Sequence, residues 1–488
     1  MVDRSGYWKN NLSREAIYRS FPELLFTDVL VIGGGSSGIT AAIAAAHRGC
    51  GVVLADRMDR VGKKLLATGN GRCNLSNTRL SSDRYGGANV SLGFLVIEKY
   101  NLDFTLEFFR KIGLHTAVES GGRIYPRSFQ ASSVLDVLRA ESSRMGVLEL
   151  CSHDAVSVEK QDGGFTTRFE SGASVQSRKV IIATGGKAAP HFGSNGGGYT
   201  LATRLGHRLT PLFPALVQIK LETAGIKGLK GVRLNGSASM LGRDGSVITC
   251  ETGEFQFTEY GISGVPALNL SKYVYLFGAN AKPRRRREEI DRPETSGIEL
   301  GEIELGGNNL VLSLDLFPEF GNEQITSLFR ERRTHLATYP IDFFFTGLVN
   351  KKLTPLLFSS SDIVRSNRTI GSMRDQEIAA LSKVSKDWRL RINGTMSYSS
   401  AQTSYGGLAL EDFNIPSLES KIVSGLYAAG EILDITGDCG GYNLQWAWSS
   451  GYAAGDAAGE AVSAATGATN GAAAGDAVGA VLGPRPET

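Results

Sequence analysis

The chain has 488 residues, of which 42% are hydrophobic and 21% charged, with a formal net charge of +3. That length exceeds one ordinary core, so two or three domains are expected, and no apolar run of about 18 residues offers a membrane span. The charge is too small and too dispersed to imply nucleic acid, and the five scattered cysteines (Cys50, Cys73, Cys151, Cys250, Cys439), never in CxxC spacing, support neither a disulfide framework nor a zinc site.

Residues 1–27 lack the continuous apolar core of a secretory signal and read as an extension packed on the domain, which suits a cytoplasmic protein. At Asp28–Gly38, DVLVIGGGSSG, a buried-strand pattern runs into GxGxxG and then into helical spacing. In that context Gly33 makes the tight turn, Gly35 lets backbone approach a pyrophosphate, and Gly38 lets helix and sheet pack closely. The free N–H groups and positive dipole end of the helix favour the anion, so the turn predicts a dinucleotide held mainly by backbone. Ile39, Ala42, Ile43 and Ala46 share one helix face, and a second strand ends at Asp56, 23 positions after Gly33. A carboxylate there suits the two ribose hydroxyls of an adenosine and disfavours a 2′-phosphate. The plainer reading of Asp56 is a solvated strand end.

The stretch Val61–Asn74 is too polar and glycine-rich for a core element and reads as a long loop. Lys63, Lys64, Asn70, Arg72 and Asn74 offer donors to phosphate or carbonyl oxygens. Helical patterns follow near Gly93–Lys99 and Phe104–Ile112, then a hairpin at Gly121–Gly122 leading to Arg123–Ser128, and a helix from Ser132 that ends before Gly146. Short β patterns close on Lys179–Gly186, KVIIATGG, a crossover into an ATG turn expected of two-dinucleotide-type flavoproteins. Alternating runs from Leu209 to about Leu316 suggest an inserted β domain. Within it, Arg284, Arg285, Arg286 and Arg287 precede Glu288, Glu289 and Asp291, a pattern of a solvated excursion with no interleaved aromatics to stack bases. Residues 319–385 turn helical and strand character returns at Trp388–Ile392. Finally Leu426–Asp434 delivers Glu431 and Asp434, and Gly440–Gly441 opens a helix near Tyr442. Either acid could hydrogen-bond a ribityl chain, while the helix start faces the pyrimidine edge of a flavin and favours its anionic reduced form. Beyond Gly459 the alanine- and glycine-rich sequence suggests a loose tail.

Seven stretches together resemble the YhiN/BaiN-like bacterial flavoprotein family, also described as NAD(FAD)-utilizing dehydrogenases or aminoacetone oxidase-like enzymes. They are GGGSSG at Gly33–Gly38, GKKLLATGNGRCNLSN at Gly62–Asn77, GRIYP at Gly122–Pro126, ASSVLDVL at Ala131–Leu138, ATGG at Ala183–Gly186, FTEYGISG at Phe257–Gly264, and the segment Gly430–Gly455 beginning GEILDITGDCGGYNLQWAW. The resemblance implies an α/β fold: a Rossmann-type FAD-binding domain of the two-dinucleotide kind, interrupted by a β-barrel-like insertion and a small helical subdomain. The expected division is an extension over 1–27, the FAD-binding domain over 28–208 and 405–460, the inserted β domain over 209–318 with return strands over 386–404, a helical subdomain over 319–385, and a tail over 461–488. Carried over by position, non-covalent FAD would touch Gly33, Gly35, Ser37, Gly38, Asp56, Lys64, Thr68, Asn70, Gly71, Thr184, Gly185, Gly430, Glu431, Gly441, Asn443 and Leu444. No metal is implied.

With FAD, the flavin carries the hydride and the protein supplies orientation and electrostatics, so no catalytic residue is assigned. The expected reaction is reduction of an enone-type C=C in a small hydrophobic, steroid- or bile-acid-like molecule, with NAD(P)H as a transient donor. The alternatives are an oxygen-using oxidase of a small amino ketone such as aminoacetone, and a flavin-dependent redox sensor. Substrate-facing residues are expected from the insertion and from loops near Tyr125, Tyr199, Tyr260 and Tyr405, while Cys73 and Cys439 read as structural thiols rather than a redox pair. A small-molecule substrate, no nucleic acid and no membrane partner are expected.

Overall fold

A computed structural model describes residues 24–278 and 310–465. The N-terminal residues 1–23, the arginine run at 284–287 and residues 466–488 of the tail lie outside the described residues.

The first strand, β1 (Leu24–Ile32), begins four residues before Asp28, inside the stretch read as an extension. It is followed by α1 (Ser36–His47), β2 (Val52–Asp56), α2 (Ala131–Arg144), β3 (Leu148–Cys151) and β4 (Ser174–Ile182), and, after a long insertion, by β5 (Leu426–Ala428) and α3 (Tyr442–Ala465). The strands pair in parallel in the order β5-β4-β1-β2-β3. Val29, Leu30 and Val31 are fully buried, as a strand covered on both faces demands. An antiparallel hairpin, Ala155–Gln161 with Gly164–Phe169, pairs with the first half of β4, leaving the second half to β5.

From β1 the chain passes to β2 on one side and later to β4 on the other. A crevice at the carboxyl ends of such a sheet is where ligands bind. Three backbone hydrogen bonds align those ends: Gly33 N–H to the Ala55 carbonyl (2.7 Å), Ala183 N–H to the Ile32 carbonyl (2.8 Å) and Ala429 N–H to the Ile182 carbonyl (3.0 Å).

Helix α3 lies directly on α1 because glycine recurs every fourth residue on its contact face. A Cβ at Gly451 would stand 2.4 Å from the Ser37 carbonyl oxygen, and one at Gly455 would stand 2.1 Å from that of Ala41. The helix continues six residues past Gly459, to Ala465, where the composition had suggested a loose tail. Alanine is the best helix former, and burial of Ala458 and Val462 against the domain outweighs the glycines.

The insertion is a closed six-stranded barrel, Ile219–Leu221, Gly261–Ser263, Val247–Phe257, Arg233–Leu241, Val311–Asp315 and Trp388–Thr395 in order around the ring. Its last strand alternates buried and exposed residues, the period-2 pattern that made it legible. A helix, Val265–Gly278, interrupts the β-rich stretch. It is buried on most sides, so no polar face marked it in the sequence. Helices Asn322–His335, Thr354–Ser360 and Asp375–Lys386 close one side, with Phe329, Phe344, Phe345 and Phe358 packed edge to face. Barrel and helices share one core, separate from that of the parallel sheet. The insertion enters and leaves through an antiparallel pair, Phe213–Ala215 with Thr403–Tyr405, where Phe213 stacks on Tyr275 and Tyr405 at 4.9 and 4.6 Å.

Glu377 anchors the helical part. It accepts from Arg368 at 2.7 and 2.8 Å and from the Arg374 N–H at 2.7 Å. The Arg368 guanidinium holds its carboxyl down from 4.5 to about 2. A depressed carboxylate contributes stability above its unfolded value that is lost as pH falls through the folded one. Replacing Glu377 with Gln is therefore expected to flatten the acid limb of stability between pH 4.5 and about 2, read by urea melts across that range. Gly455→Val is expected to cost about 1–3 kcal/mol by overpacking and to lower the thermal midpoint.

Candidate cofactor and substrate site

A cavity of about 900 Å³ opens where the carboxyl ends of β1, β2 and β4 face the barrel. That is ample for a large ligand. Its floor is the glycine turn. Gly33 has φ +105°, and a Cβ there would stand 2.5 Å from the Ala183 carbonyl oxygen, so only glycine fits. A Cβ at Gly38 would stand 1.8 Å from the Gly33 oxygen, whereas one at Gly35 would meet nothing within 4 Å. Gly35 is thus the open place in the turn, at the uncapped start of α1.

Asp56 closes one end. Its Oδ2 accepts the Gly34 N–H (2.6 Å) and its Oδ1 accepts the Met58 N–H (2.7 Å). Burial raises its carboxyl above the usual range, and those two N–H groups act against the rise.

The stretch read as a loop after β2 contains a short helix, Lys63–Ala67, and a tight turn, Thr68–Gly71, with Gly69 and Asn70 left-handed. Leu65 turns inward and is buried, which supplies the anchor that composition concealed. Lys64 Nζ lies 2.8 Å from Glu431 Oε2, and Glu431 Oε1 accepts the Ser404 N–H at 2.8 Å. The two residues expected to serve phosphate and ribityl groups are therefore paired with each other across the cavity wall.

At the other end, the loop Gly437–Gly441 leads into α3. Asn443 braces it by accepting the Gly437 N–H (2.8 Å) and donating to the Gly437 carbonyl (2.7 Å). Helix Val265–Gly278 grips the same loop: Lys272 Nζ lies 2.7 Å from Asp438 Oδ1, and Asn269 Oδ1 accepts the Cys439 N–H at 2.8 Å. All three of Lys272, Asp438 and Asn269 are buried.

Asn74 Oδ1 and Thr184 Oγ1, both buried and both on residues of the cavity wall, have no hydrogen-bond partner. Orphaned polar atoms beside an open glycine turn fit a bound dinucleotide. Among the sequence-predicted cofactor residues, all but Gly38, Gly71 and Gly430 line the cavity. Gly38 and Gly430 are packing positions; a Cβ at Gly430 would stand 2.3 Å from Ser37 Oγ. Gly71 has φ +81° and faces open space.

Of the four tyrosines, Tyr125 alone is on the wall. Tyr199 is fully buried, Tyr405 is taken up in the Phe213 stack, and Tyr260 is surface-exposed. Cys73 is wholly buried, its thiol pushed up to about 12 by burial. Cys439 does line the cavity, and burial raises its thiol as well. Sequence reasoning expected the insertion to face the substrate but could not name its residues, which are Leu216, Gln218, Gln256, Val265 and Leu268 with the segment Ser399–Thr403. These come together only through closure of the barrel, which local patterns do not encode.

Fold and site define a Rossmann-type flavoprotein of the FAD-dependent oxidoreductase class. The profile of the HI0933-like protein Rossmann domain matches residues 27–457. The chain is 38% identical over 430 residues to a 3-dehydro-bile acid delta(4,6)-reductase of Clostridium scindens, covering 87% of this chain and 97% of that protein. It is 28% identical over 431 residues to a ribosomal RNA dihydrouridine synthase of Escherichia coli, covering 87% of this chain and 96% of that protein. Among solved structures, an E. coli quinol fumarate reductase subunit aligns with a TM-score of 0.43 at 16% identity, covering 93% of this chain and 74% of that one. The chain belongs to the HI0933-like family. No helix among the described residues is long and apolar enough to cross a membrane.

Removing the Asp56 carboxylate strands two N–H groups at the turn. Asp56→Ala is expected to weaken FAD retention by about tenfold or more, the scale of a hydrogen bond to a charged group. Flavin-to-protein absorbance after gel filtration, followed by titration of the stripped protein with FAD, checks it.

Proposed function

We propose that the protein holds FAD non-covalently along this cavity and reduces an enone-type C=C of a small hydrophobic, steroid- or bile-acid-like molecule, with NAD(P)H as donor. The observation that carries the reading is the 38% identity to the bile acid delta(4,6)-reductase over nearly its whole length. The names of the relatives converge chemically: a 3-dehydro-delta(4,6) steroid and a uridine both present a C=C conjugated to a carbonyl.

Bound flavin supplies the hydride donor and acceptor. The chain's own residues position the reactants. Gly35 and the α1 N-terminus receive the pyrophosphate, Asp56 the adenosine ribose, and the wall around Thr184, Gly185, Gly441, Asn443 and Leu444 the flavin half. The Lys64–Glu431 pair ties the segment after β2 to the segment after β5, so both walls are fixed together. Tyr125 is held from one side by Arg72, whose guanidinium lies 4.4 Å from the ring centroid and is itself ion-paired with Glu119 at 2.6 Å. Burial raises the Tyr125 hydroxyl and the Cys439 thiol, so Tyr125 Oη and Cys439 Sγ both keep their protons at neutral pH. The insertion's wall brings Leu216, Val265 and Leu268 to the face of a planar ring and Gln218 and Gln256 as uncharged hydrogen-bonding groups beside it.

A second reading is favoured by the 28% and 26% identities to ribosomal RNA dihydrouridine synthases of E. coli and Haemophilus influenzae: the conjugated bond would be that of a uridine. Anaerobic stopped-flow absorbance of the yellow protein separates the readings. Bleaching by NADH or NADPH and rapid reoxidation by a 3-oxo-4-ene steroid, with a product two hydrogens heavier by mass spectrometry, is the expected outcome. Reoxidation by unmodified ribosomal RNA and not by the steroid moves the substrate to uridine. Bleaching by aminoacetone with reoxidation only by oxygen replaces the reductase with the oxidase.

A further inference from the structure

The strand Arg123–Pro126 alternates its side chains, placing Arg123 and Tyr125 on the cavity wall and Ile124 in the core with 1% exposure. The other cations of the wall are matched by carboxylates: Arg57 with Asp154 (3.2 Å), Lys63 with Asp59 (2.5 Å), Lys64 with Glu431 (2.8 Å) and Arg72 with Glu119 (2.6 Å). Arg60 is exposed at the Asp56 end. Arg123 differs from all of these. It is half-buried, and among the described residues its guanidinium has neither an ion pair nor a side-chain hydrogen bond. Asp438, the wall's carboxylate at the α3 end, is already held by Lys272.

A half-buried guanidinium offers five donors in a fixed fork and calls for an acceptor. Its field reaches both the Tyr125 hydroxyl and the Cys439 thiol, since it acts against the burial that raises each. Arg123 stands at the α3 end of the cavity, away from the glycine turn: it pairs in register with Asn77, whose Nδ2 donates to the Gly440 carbonyl at 2.9 Å. The insertion faces the same cavity with Leu216, Val265 and Leu268 interspersed with uncharged polar residues such as Gln218, Gln256 and Gln402, a wall without charge.

The geometry points to Arg123 as an oxyanion subsite, binding a carbonyl or enolate-like oxygen carried on a planar apolar ring. The assignment rests on the reductase reading in naming the oxygen as the one conjugated to the double bond. A half-buried cation without a partner, facing an uncharged wall, suits a single oxygen on a ring; a nucleic acid backbone would require several cations along a track.

The test uses para-nitrophenol, whose anion mimics an enolate, titrated into the oxidised holoprotein at several pH values and read by phenolate and flavin absorbance. Wild type is expected to bind the anion in preference to the neutral phenol. Arg123→Met should weaken binding by about tenfold or more and abolish that preference, as loss of a charge-assisted hydrogen bond does, while Arg123→Lys keeps part of both. Melting temperature and flavin content of each variant establish that it is folded, and Arg123→Gln serves if Met is not tolerated. Equal binding of phenolate by wild type and the neutral variants overturns the assignment, as does wild type without anion preference. If Arg123 governs phenolate binding but a 3-oxo-4-ene steroid neither binds nor reoxidises the flavin, the oxyanion subsite stands and the steroid reading falls. If the steroid is reduced equally well by Arg123→Met, the subsite falls and the steroid reading stands.

Discussion

The structure depends on one close approach of backbone to backbone. Gly33 leaves the end of β1 pressed against the Ala183 carbonyl, and Gly38 is pressed in turn against the Gly33 oxygen. No Cβ fits at either point, so the first turn of α1 sits directly over the strand ends. Helix α3 is then set by α1, through Gly451 and Gly455, and α3 carries Gly441, Asn443 and Leu444 back to the same crevice. Glycines spread over more than 400 residues of sequence thus define a single wall.

The insertion joins this wall through specific polar contacts. The Lys272–Asp438 ion pair and the Asn269 bond to the Cys439 N–H hold the loop before α3 from the barrel side. A buried ion pair contributes little net stability against a hydrophobic alternative, because desolvation of both charges opposes their attraction. Its effect here is positional. Loop and insertion helix cannot shift independently without leaving a charge unpaired in the interior, so the cavity wall from the insertion and the wall from the parallel sheet keep one register.

Much of this was legible in the sequence where the chemistry is local. The DVLVIGGGSSG turn, Asp56 and the ATGG crossover each announce themselves within a few residues, and so does the alternation of Trp388–Thr395. The helix Val265–Gly278 was missed because burial on most sides removes the periodic polar face. Tyr199 and Tyr405 looked like wall residues because an aromatic near a glycine motif can serve either a ligand or the core; here packing beneath Glu431 and stacking on Phe213 decided. The partners of Lys64 and Glu431 were illegible for a different reason. Each was read as a lone charge facing a ligand, and nothing at a separation of 367 residues marks them as a pair.

That pairing changes how the proposed anionic ligand would be held. With Lys64 paired to Glu431 and Lys63 to Asp59, a pyrophosphate at the turn, as proposed above, would meet no free lysine there and would face the uncapped N-terminus of α1. A helix N-terminus contributes roughly 0.3–2 kcal/mol to a nearby anion and, unlike a lysine side chain, needs no ordering when the ligand arrives. Fixed backbone dipoles at one end and the unpaired, half-buried Arg123 guanidinium at the other leave the cavity with two distinct polar addresses. The wall from the insertion adds no charge to the cavity. A ligand long enough to span the turn and a second, flat molecule bearing one oxygen satisfy both addresses without a further charged group.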